Sequence, residues 1–233
     1  LMKVLIIIPT LNEEKNIYKL INKLLSLYDY DILVIDDNSK DKTIHILKKF
    51  KLKSKKFHFI VRKNKKGIGS AHLDGILYSY KKKYNYCVTM DADGTHDPKK
   101  IEVMMNLVLY KKYAIINSSR FIKKKSLNDW PLIRRAITIL RYNLVRYILG
   151  TNFDSSGGFR CYSLNLINKK LFKKAKNKNY FFLIETLYIL EKNKYNIFDI
   201  PVTLRYRTAG NSKMNLYFIF ESLFALIALR FRS

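Results

Sequence analysis

Two hydrophobic patterns alternate along this chain: short unbroken apolar runs, and longer stretches with apolar residues three and four apart. Val4-Leu5-Ile6-Ile7-Ile8 is the first run, and a continuous run of this length fits a strand buried on both faces. Pro9-Thr10-Leu11-Asn12-Glu13 ends it, and Ile17, Leu20, Ile21, Leu24 and Leu25 then follow at helical spacing. Asp31-Ile32-Leu33-Val34-Ile35 is the second strand, closed by Asp36-Asp37-Asn38-Ser39. Asp41 can cap the next helix, which carries Ile44, Leu47 and Phe50. Residues 57–61 read as a third strand, 65–70 as a flexible loop, 71–82 as a helix and 86–90 as a fourth strand. Four alternations of strand and helix with short connections predict an α/β domain, a mainly parallel sheet flanked by helices with right-handed crossovers.

The second half is less regular. Residues 98–109 read as a helix, with Asp97 as N-cap and Pro98 at the first helical position. A strand over 113–117 and a basic loop over 120–126 follow, then a helix over 131–149 carrying Arg134, Arg135, Arg141 and Arg146. Residues 157–162 are a turn into a strand, 181–192 a helix containing Glu185, 197–207 extended structure and 207–213 a polar loop. The last apolar stretch, from Leu216 to Phe231, is interrupted by Glu221, Ser222 and Arg230. It falls short of the roughly 18 unbroken apolar residues of a transmembrane helix. It is either an ordinary core helix or one lying in a membrane interface. With no repeat and no linker in between, residues 1–233 are expected to form one domain, 214–233 being its C-terminal amphipathic or interfacial helix.

Composition changes this picture in one respect. An apolar share of 48% suits a folded chain, but 45 Lys and Arg against 18 Asp and Glu leave a net charge of +27. A field of that sign attracts nucleic acid, phosphorylated substrates or an anionic membrane face; lysines spread along the whole chain also fit a compositional bias. Cys87 and Cys161 form no metal-binding spacing and read as packed, reduced thiols of a cytosolic protein. No signal peptide is visible, because Ile6-Ile7-Ile8 runs at once into a polar turn.

The candidate chemistry lies at the strand ends. In open parallel sheets ligands bind outside the carboxyl ends of the strands, and three of the first four strands end there in acids: Glu13, Asp36 with Asp37, and Asp91 with Asp93. Asp91 and Asp93 are one residue apart, so on an extended chain they face one point. Two hard carboxylates suit Mg²⁺ or Mn²⁺ carrying a diphosphate. Structural alternatives stand beside this reading: a polar turn ahead of the helix at Pro98, and a Thr10-x-x-Glu13 capping box.

Pro-Thr-x-Asn-Glu at 9–13, Asp-Asp-Asn-Ser at 36–39 and Asp-Ala-Asp-x-x-His at 91–96 resemble the inverting family 2 glycosyltransferases of GT-A fold. Trp130-x-x-x-Arg134-x-x-x-Thr138, Ser156-Gly157-Gly158-Phe159-Arg160 and the pair Arg207 and Lys213 narrow the resemblance to dolichyl-phosphate mannose synthases and their polyprenyl-phosphate relatives. It covers nearly the whole chain. It implies that Pro9, Leu11, Glu13 and Ile35 flank the nucleotide, that Asp37 reads its base, and that Ala92 lies near the ribose. Asp91, Asp93 and Thr95 would hold the metal, with Asp93 also serving the diphosphate. The sequence departs from the pattern in three places, with Leu11 for the usual Tyr, Gly94 for Leu and Thr95 for Ser or Gln. The first weakens any choice between GDP and UDP.

Transfer from a sugar nucleotide needs the leaving diphosphate stabilised, which Asp93 through a metal, and Arg207 and Lys213 on a closing loop, would do. A lipid phosphate acceptor is already an anionic nucleophile and needs cations to place it, for which Arg120 and Arg134 are the candidates. Thr138 lies one helical turn beyond Arg134 on the same face. A hydroxyl acceptor would need a base, with Asp91 nearest. His96 is either a metal ligand or a hydrogen-bonded turn residue, and Trp130 either touches the acceptor or anchors its helix.

The expectation is thus a hexose transferase taking mannose from GDP-mannose to dolichyl or polyprenyl phosphate with inversion. It would act peripherally on the cytosolic face of an anionic membrane, with or without an anchoring partner subunit. The rivals are glucose or an aminosugar from UDP, a polysaccharide or protein acceptor, a nucleotidyltransferase, and a nucleic-acid binder. Acids converging at three strand ends would repel nucleic-acid phosphates, so no nucleic-acid partner is expected.

Overall fold

The computed structural model describes residues 2–64, 67–123, 126–128, 130–203 and 216–232, with backbone alone for 216–221. In chain order its elements are β1 (Val4–Thr10), α1 (Ile17–Leu27), β2 (Asp31–Asp36), α2 (Thr43–Lys53), β3 (Phe57–Val61), α3 (Ile68–Lys81), β4 (Tyr86–Thr89) and α4 (Lys100–Tyr110). They continue with β5 (Ile115–Ser119), α5 (Leu132–Leu149), β6 (Arg160–Ser163), α6 (Lys169–Phe172), α7 (Phe181–Lys192), β7 (Ile197–Pro201) and α8 (Leu216–Arg232). The seven strands form one sheet in the order β3-β2-β1-β4-β6-β5-β7.

The alternation of side chains in β1 and β2 explains their unbroken apolar runs. Val4, Ile6, Ile8, Ile32 and Val34 enter the core on one face of the sheet, and Leu5, Ile7, Leu33 and Ile35 the core on the other. The first face is covered by α1, through Ile17, Leu20, Ile21 and Leu24, and by α4, through Ile101, Met104, Met105 and Val108. The second is covered by α3 and α7. A third cluster joins Val145 and Leu149 of α5 to Ile184 and Tyr188 of α7 and to Leu226 and Leu229 of α8. Both thiols are buried; Cys87 and Cys161 are free, and burial pushes their pKa values up.

β3, β2, β1 and β4 pair in parallel. β6 then runs antiparallel between β4 and β5, and β7 lies parallel to β5. This single reversal positions the site. β4 and β5 point the same way, so Asp91 and Arg120 leave the sheet on one edge, and the chain entering β6 passes between them. Thr89 pairs with Arg160, and Arg160 with Asn117.

Several local expectations are corrected. Thr10 completes β1 and gives its hydroxyl to the Ile8 carbonyl, so no capping box forms; α1 starts after Asn16, whose side-chain amide donates to Glu13 at 2.9 Å. Residues 68–70 belong to α3 and not to a loop. α4 starts at Lys100, two residues beyond Pro98, while the Asp97 carboxylate accepts from the Lys99 N–H. Asp41 does accept from the first N–H of α2, that of Thr43, at 2.9 Å.

Candidate active site

The carboxyl edge of the sheet opens into a cleft lined by Pro9, Leu11, Glu13, Asp37, Ala92 and Asp93, with Asp91 at one side. Two loops build its floor by tying themselves together. The Asn12 N–H donates to the Ser39 hydroxyl at 2.8 Å, the Glu13 N–H to the Thr43 hydroxyl at 2.9 Å, and the Lys40 N–H to the Asn12 side chain at 2.8 Å. Asn12 and Asn38 take left-handed backbone, at φ 51° and 64°, a conformation Asn tolerates better than most residues. The adjacent acids Asp36 and Asp37 divide the labour. Asp36 is fully buried and accepts both the N–H and the hydroxyl of Ser39, closing its own loop. Burial holds its pKa above the ordinary carboxylate value.

Asp37 lies in the cleft wall, 2.9 Å from the Arg62 guanidinium and 3.0 Å from the Gly67 N–H. Arg62 also donates to the Ser70 hydroxyl, the Gly67 carbonyl and Asp74. This buried hub and the neighbouring cleft residues Asn179 and Tyr180 were not singled out from sequence. The Gly67-x-Gly69 pair exists for close packing. A Cβ on Gly69 would sit 2.4 Å from Phe182 Cβ and 2.5 Å from the Asn179 carbonyl, and Gly67 adopts φ +93°. Ile35, expected near the nucleotide, is fully buried in the core beneath the cleft, its Cδ1 against Gly75.

The Asp91–Asp93 pair is not on an extended strand. β4 ends at Thr89, and a turn through Gly94 at φ +74° carries the acids. Asp93 is nearly buried and accepts the N–H of Thr95 at 3.1 Å and its hydroxyl at 2.7 Å, so Thr95 orients Asp93. The Asp91 side chain is about one third exposed. His96 accepts the Asp91 N–H on Nδ1 at 3.2 Å. Its proton therefore sits on Nε2, 3.9 Å from the Asp91 carboxylate. His96 is a hydrogen-bonded turn residue, stacked on Phe159 at 4.9 Å. Gly158 leans over Asp91: a Cβ there would lie 3.1 Å from Oδ1, with the His72 ring at 3.5 Å behind. His72 is buried with Nε2 unpartnered, and burial, then the charges of Arg160 and His96, lower its pKa to about 3.

The donor set suits a hard divalent cation. Magnesium-type sites use one or two carboxylates and complete the shell with phosphate oxygens and water. Asp91 and Asp93 supply two such carboxylates, and among the described residues no group of three or more His, Cys, Asp or Glu side chains is placed to hold a metal by itself, so phosphate oxygens and water would have to complete the shell here.

Across the 154–158 segment lies a cationic cluster. Arg120, expected from sequence, donates through Nε and Nη2 to Asp154 at 2.8 and 2.6 Å, and to the Ser156 hydroxyl. Asp154 is fully buried and also accepts the Arg120 N–H and the Ser156 hydroxyl. Burial alone would lower the Arg120 pKa, yet the Asp154 carboxylate holds it above its ordinary value. Asp154 in turn is kept low by Arg120 against the effect of its burial. Arg141 donates to the same Ser156 hydroxyl at 3.2 Å, and burial, followed by repulsion from Arg120, brings its pKa down to about 10. Thr138 is buried on the same helix face. Arg134 stacks on the Trp130 ring at 4.1 Å, and Trp130 packs into the core, anchoring α5. Arg160, fully buried, spends its guanidinium on the Asn117 side chain and on the Leu183 and Ser155 carbonyls, fixing the 154–158 segment. Arg207 and Lys213 lie outside the described residues.

Strand-end acids facing a cleft on this sheet, with a cationic pocket beside them, define a nucleotide-sugar glycosyltransferase of GT-A fold. The chain belongs to glycosyl transferase family 2, whose pattern matches residues 5–175. It is 28% identical over 225 residues to the polyprenol monophosphomannose synthase of Mycolicibacterium smegmatis, covering 95% of this chain and 84% of that one. It is 29% identical over 241 residues to the UDP-N-acetylglucosamine–dolichyl-phosphate N-acetylglucosaminyltransferase of Methanococcus voltae, covering 97% and 95%. Among solved structures, glucosyl-3-phosphoglycerate synthase from Mycobacterium tuberculosis, in complex with Mn²⁺, UDP and phosphoglyceric acid, superposes with a TM-score of 0.66. That likeness covers 98% of this chain and 77% of that one at 17% identity, a likeness of fold.

Proposed function

We propose that this glycosyltransferase moves a hexose, mannose from GDP-mannose, onto a polyprenyl or dolichyl phosphate with inversion at the anomeric carbon. The observation that carries the reading is that Asp91 both lines the cleft and acts on Arg120 of the cationic pocket, with Gly158 close by. The acceptor class is supported by the polyprenyl- and dolichyl-phosphate enzymes among the relatives. Those relatives use different sugars, so the donor rests on the resemblance alone.

In this reading Pro9, Leu11, Glu13, Asp37 and Ala92 seat the nucleotide, and Asp91 with Asp93 would hold Mg²⁺ or Mn²⁺, Thr95 serving through Asp93. When bound, the metal supplies positive charge to the leaving diphosphate. Arg207 and Lys213 are assigned from sequence to the same task. Arg120 and Arg134, the latter stacked on Trp130, place the acceptor phosphate together with Thr138. A phosphate oxygen is already ionised at neutral pH, so the chain needs to orient it and exclude water, with no proton to remove.

The enzyme would work from a membrane surface. No helix among the described residues is long and apolar enough to cross a membrane. Yet α5 presents Ile133, Ile137, Leu140 and Tyr147, and α8 presents Phe224 and Phe231, all more than half exposed. An apolar stripe on a strongly basic chain suits an anionic, cytosolic membrane face.

A donor panel of GDP-mannose, UDP-glucose and UDP-N-acetylglucosamine tests the proposal, with either metal and a short polyprenyl phosphate. Lipid-linked mannose of inverted configuration, abolished by Asp93→Ala, is the expected result. Product from a UDP-sugar alone would overturn the donor, retained configuration the mechanism, and transfer to a non-lipid acceptor only would overturn the acceptor. Flotation with anionic liposomes should weaken at least tenfold in Leu140→Glu with Phe224→Glu; unchanged flotation would refute the interfacial assignment.

A further inference from the structure

The cationic pocket holds more charge than its structure needs. Arg120 is compensated by Asp154 in a bidentate pair. Arg141 is not: among the described residues its only hydrogen bond goes to the neutral Ser156 hydroxyl, which Arg120 also contacts. Two guanidiniums thus converge on one hydroxyl while Asp154 bonds only Arg120 of the two, with Asp91 acting on Arg120 from further away, and Arg141 has no ion-pair partner among the described residues. Desolvation and the charge of Arg120 lower the Arg141 pKa to about 10, more than Asp154 raises it, and a desolvated cation without its own ion pair costs folding free energy. Replacing such a group by an apolar one of similar shape is often stabilising.

The position of the surplus charge says what it would meet. Arg141 follows Arg134 and Thr138 at positions i, i+4 and i+7 of α5, so all three lie on one helix face. Thr138 is buried and Arg141 half-buried, its guanidinium 3.2 Å from the Ser156 hydroxyl. Two residues further along the same segment a Cβ on Gly158 would lie 3.1 Å from Asp91 Oδ1, and Asp91 acts on Arg120, so the pocket adjoins the acids that face the donor.

We propose that Arg141, with Arg120 and Ser156, forms an anion subsite for the phosphate monoester headgroup of the acceptor, Arg141 supplying the positive charge that Asp154 does not neutralise. The inference deepens the proposed acceptor reading and rests on it for the lipid, but the anion subsite itself is a property of the free protein. Ser156, with one guanidinium on either side, is the point where a phosphate oxygen displaces the shared hydroxyl contact. A planar fork on each side can hold two oxygens of one phosphate. An acceptor with a neutral hydroxyl would leave the surplus charge as it is and gain nothing from it.

The test compares wild type, Arg141→Met and Arg141→Lys by thermal melting with and without inorganic phosphate, and by transfer kinetics to a short polyprenyl phosphate. In wild type, phosphate should raise the melting temperature. In Arg141→Met the phosphate-free melting temperature should be equal to or above wild type, and the phosphate-induced rise should be lost. The KM for the polyprenyl phosphate should rise at least tenfold with the donor KM within twofold, and Arg141→Lys should recover part of it. An Arg141→Met variant with lowered stability and unchanged acceptor KM would overturn the proposal and make Arg141 structural. Arg141→Lys then decides separately if Arg141→Met fails to fold: an unchanged phosphate response and acceptor KM in that variant overturns the bidentate role. A wild type that shows the Arg141-dependent phosphate response but transfers nothing to lipid would keep the subsite and remove the acceptor reading. A transfer-competent wild type without that response would do the reverse.

Discussion

The Arg120–Asp154 pair allows a sharp prediction about how the acceptor side is held. Asp154 is fully buried and accepts the Arg120 N–H, Nε and Nη2 together with the Ser156 hydroxyl. Asp154→Leu removes the carboxylate and leaves two neighbouring guanidiniums, Arg120 and Arg141, with no negative charge between them. Breaking a buried pair by deleting one partner costs about 3–5 kcal/mol, against a total stability of about 5–15 kcal/mol for a folded protein. Urea denaturation should therefore show the midpoint falling by about 1.5–2.5 M for a slope near 2 kcal/mol/M. Adding Arg120→Met removes the stranded charge, and the double variant should regain most of the loss. About 1 kcal/mol should stay lost, because the Arg120 N–H has lost its acceptor. Transfer would not return, since Arg120 is gone. An Asp154→Leu cost below about 1 kcal/mol, or a double variant no more stable than the single one, would refute the argument that this ion pair is locked by burial.

Two further predictions concern the groups around Asp91. Gly158→Ala puts a Cβ 3.1 Å from Asp91 Oδ1, a displacement of a few tenths of an ångström. Turnover should fall about tenfold, by analogy with the roughly hundredfold cost of a 1 Å misplacement, with melting temperature nearly unchanged; full activity would show that Asp91 tolerates the shift. His72 stays neutral in the fold, with its pKa lowered from 6.5 to about 3, so the unfolded chain binds the extra proton. Its contribution is complete above pH 6.5 and is lost as pH falls from there towards 3, by up to about 4–5 kcal/mol. His72→Phe should match wild type at pH 7 and be more stable at pH 4.5; parallel stability curves would count against it.

The first half of the fold was legible from sequence because each element there carries its own local pattern. The runs in β1, β2 and β3 and the spacing in α1 and α2 identify the strands and helices with little help from tertiary structure. The acids at three strand ends follow from the topological rule for open sheets. What stayed hidden was made by contacts between distant segments. Arg62 reads as one basic residue among many, and only the fold brings it to Asp37. Asp154 has no sequence signal beyond preceding Ser-Ser-Gly-Gly, and Arg141 cannot be told from Arg135 or Arg146 without knowing which face of α5 turns inward. The antiparallel course of β6 was equally silent, since a four-residue strand has no periodicity that encodes its direction. The alternation of Asp91 and Asp93 lies on a turn and not on an extended strand, because Gly94 bends the chain there.

That antiparallel strand also has a consequence for how the chain reaches its fold. β1 to β4 are contiguous in sequence and pair as they are made, so this half of the sheet can assemble early. The outer edge of β4, however, is covered only by β6, and residues 90–159 must be synthesised first. During that interval an apolar strand edge next to Asp91 and Asp93 stays unpaired, the kind of edge that recruits other chains. Expression yield should therefore depend on what happens to β6, and slow or truncated synthesis beyond β4 is where aggregation would begin.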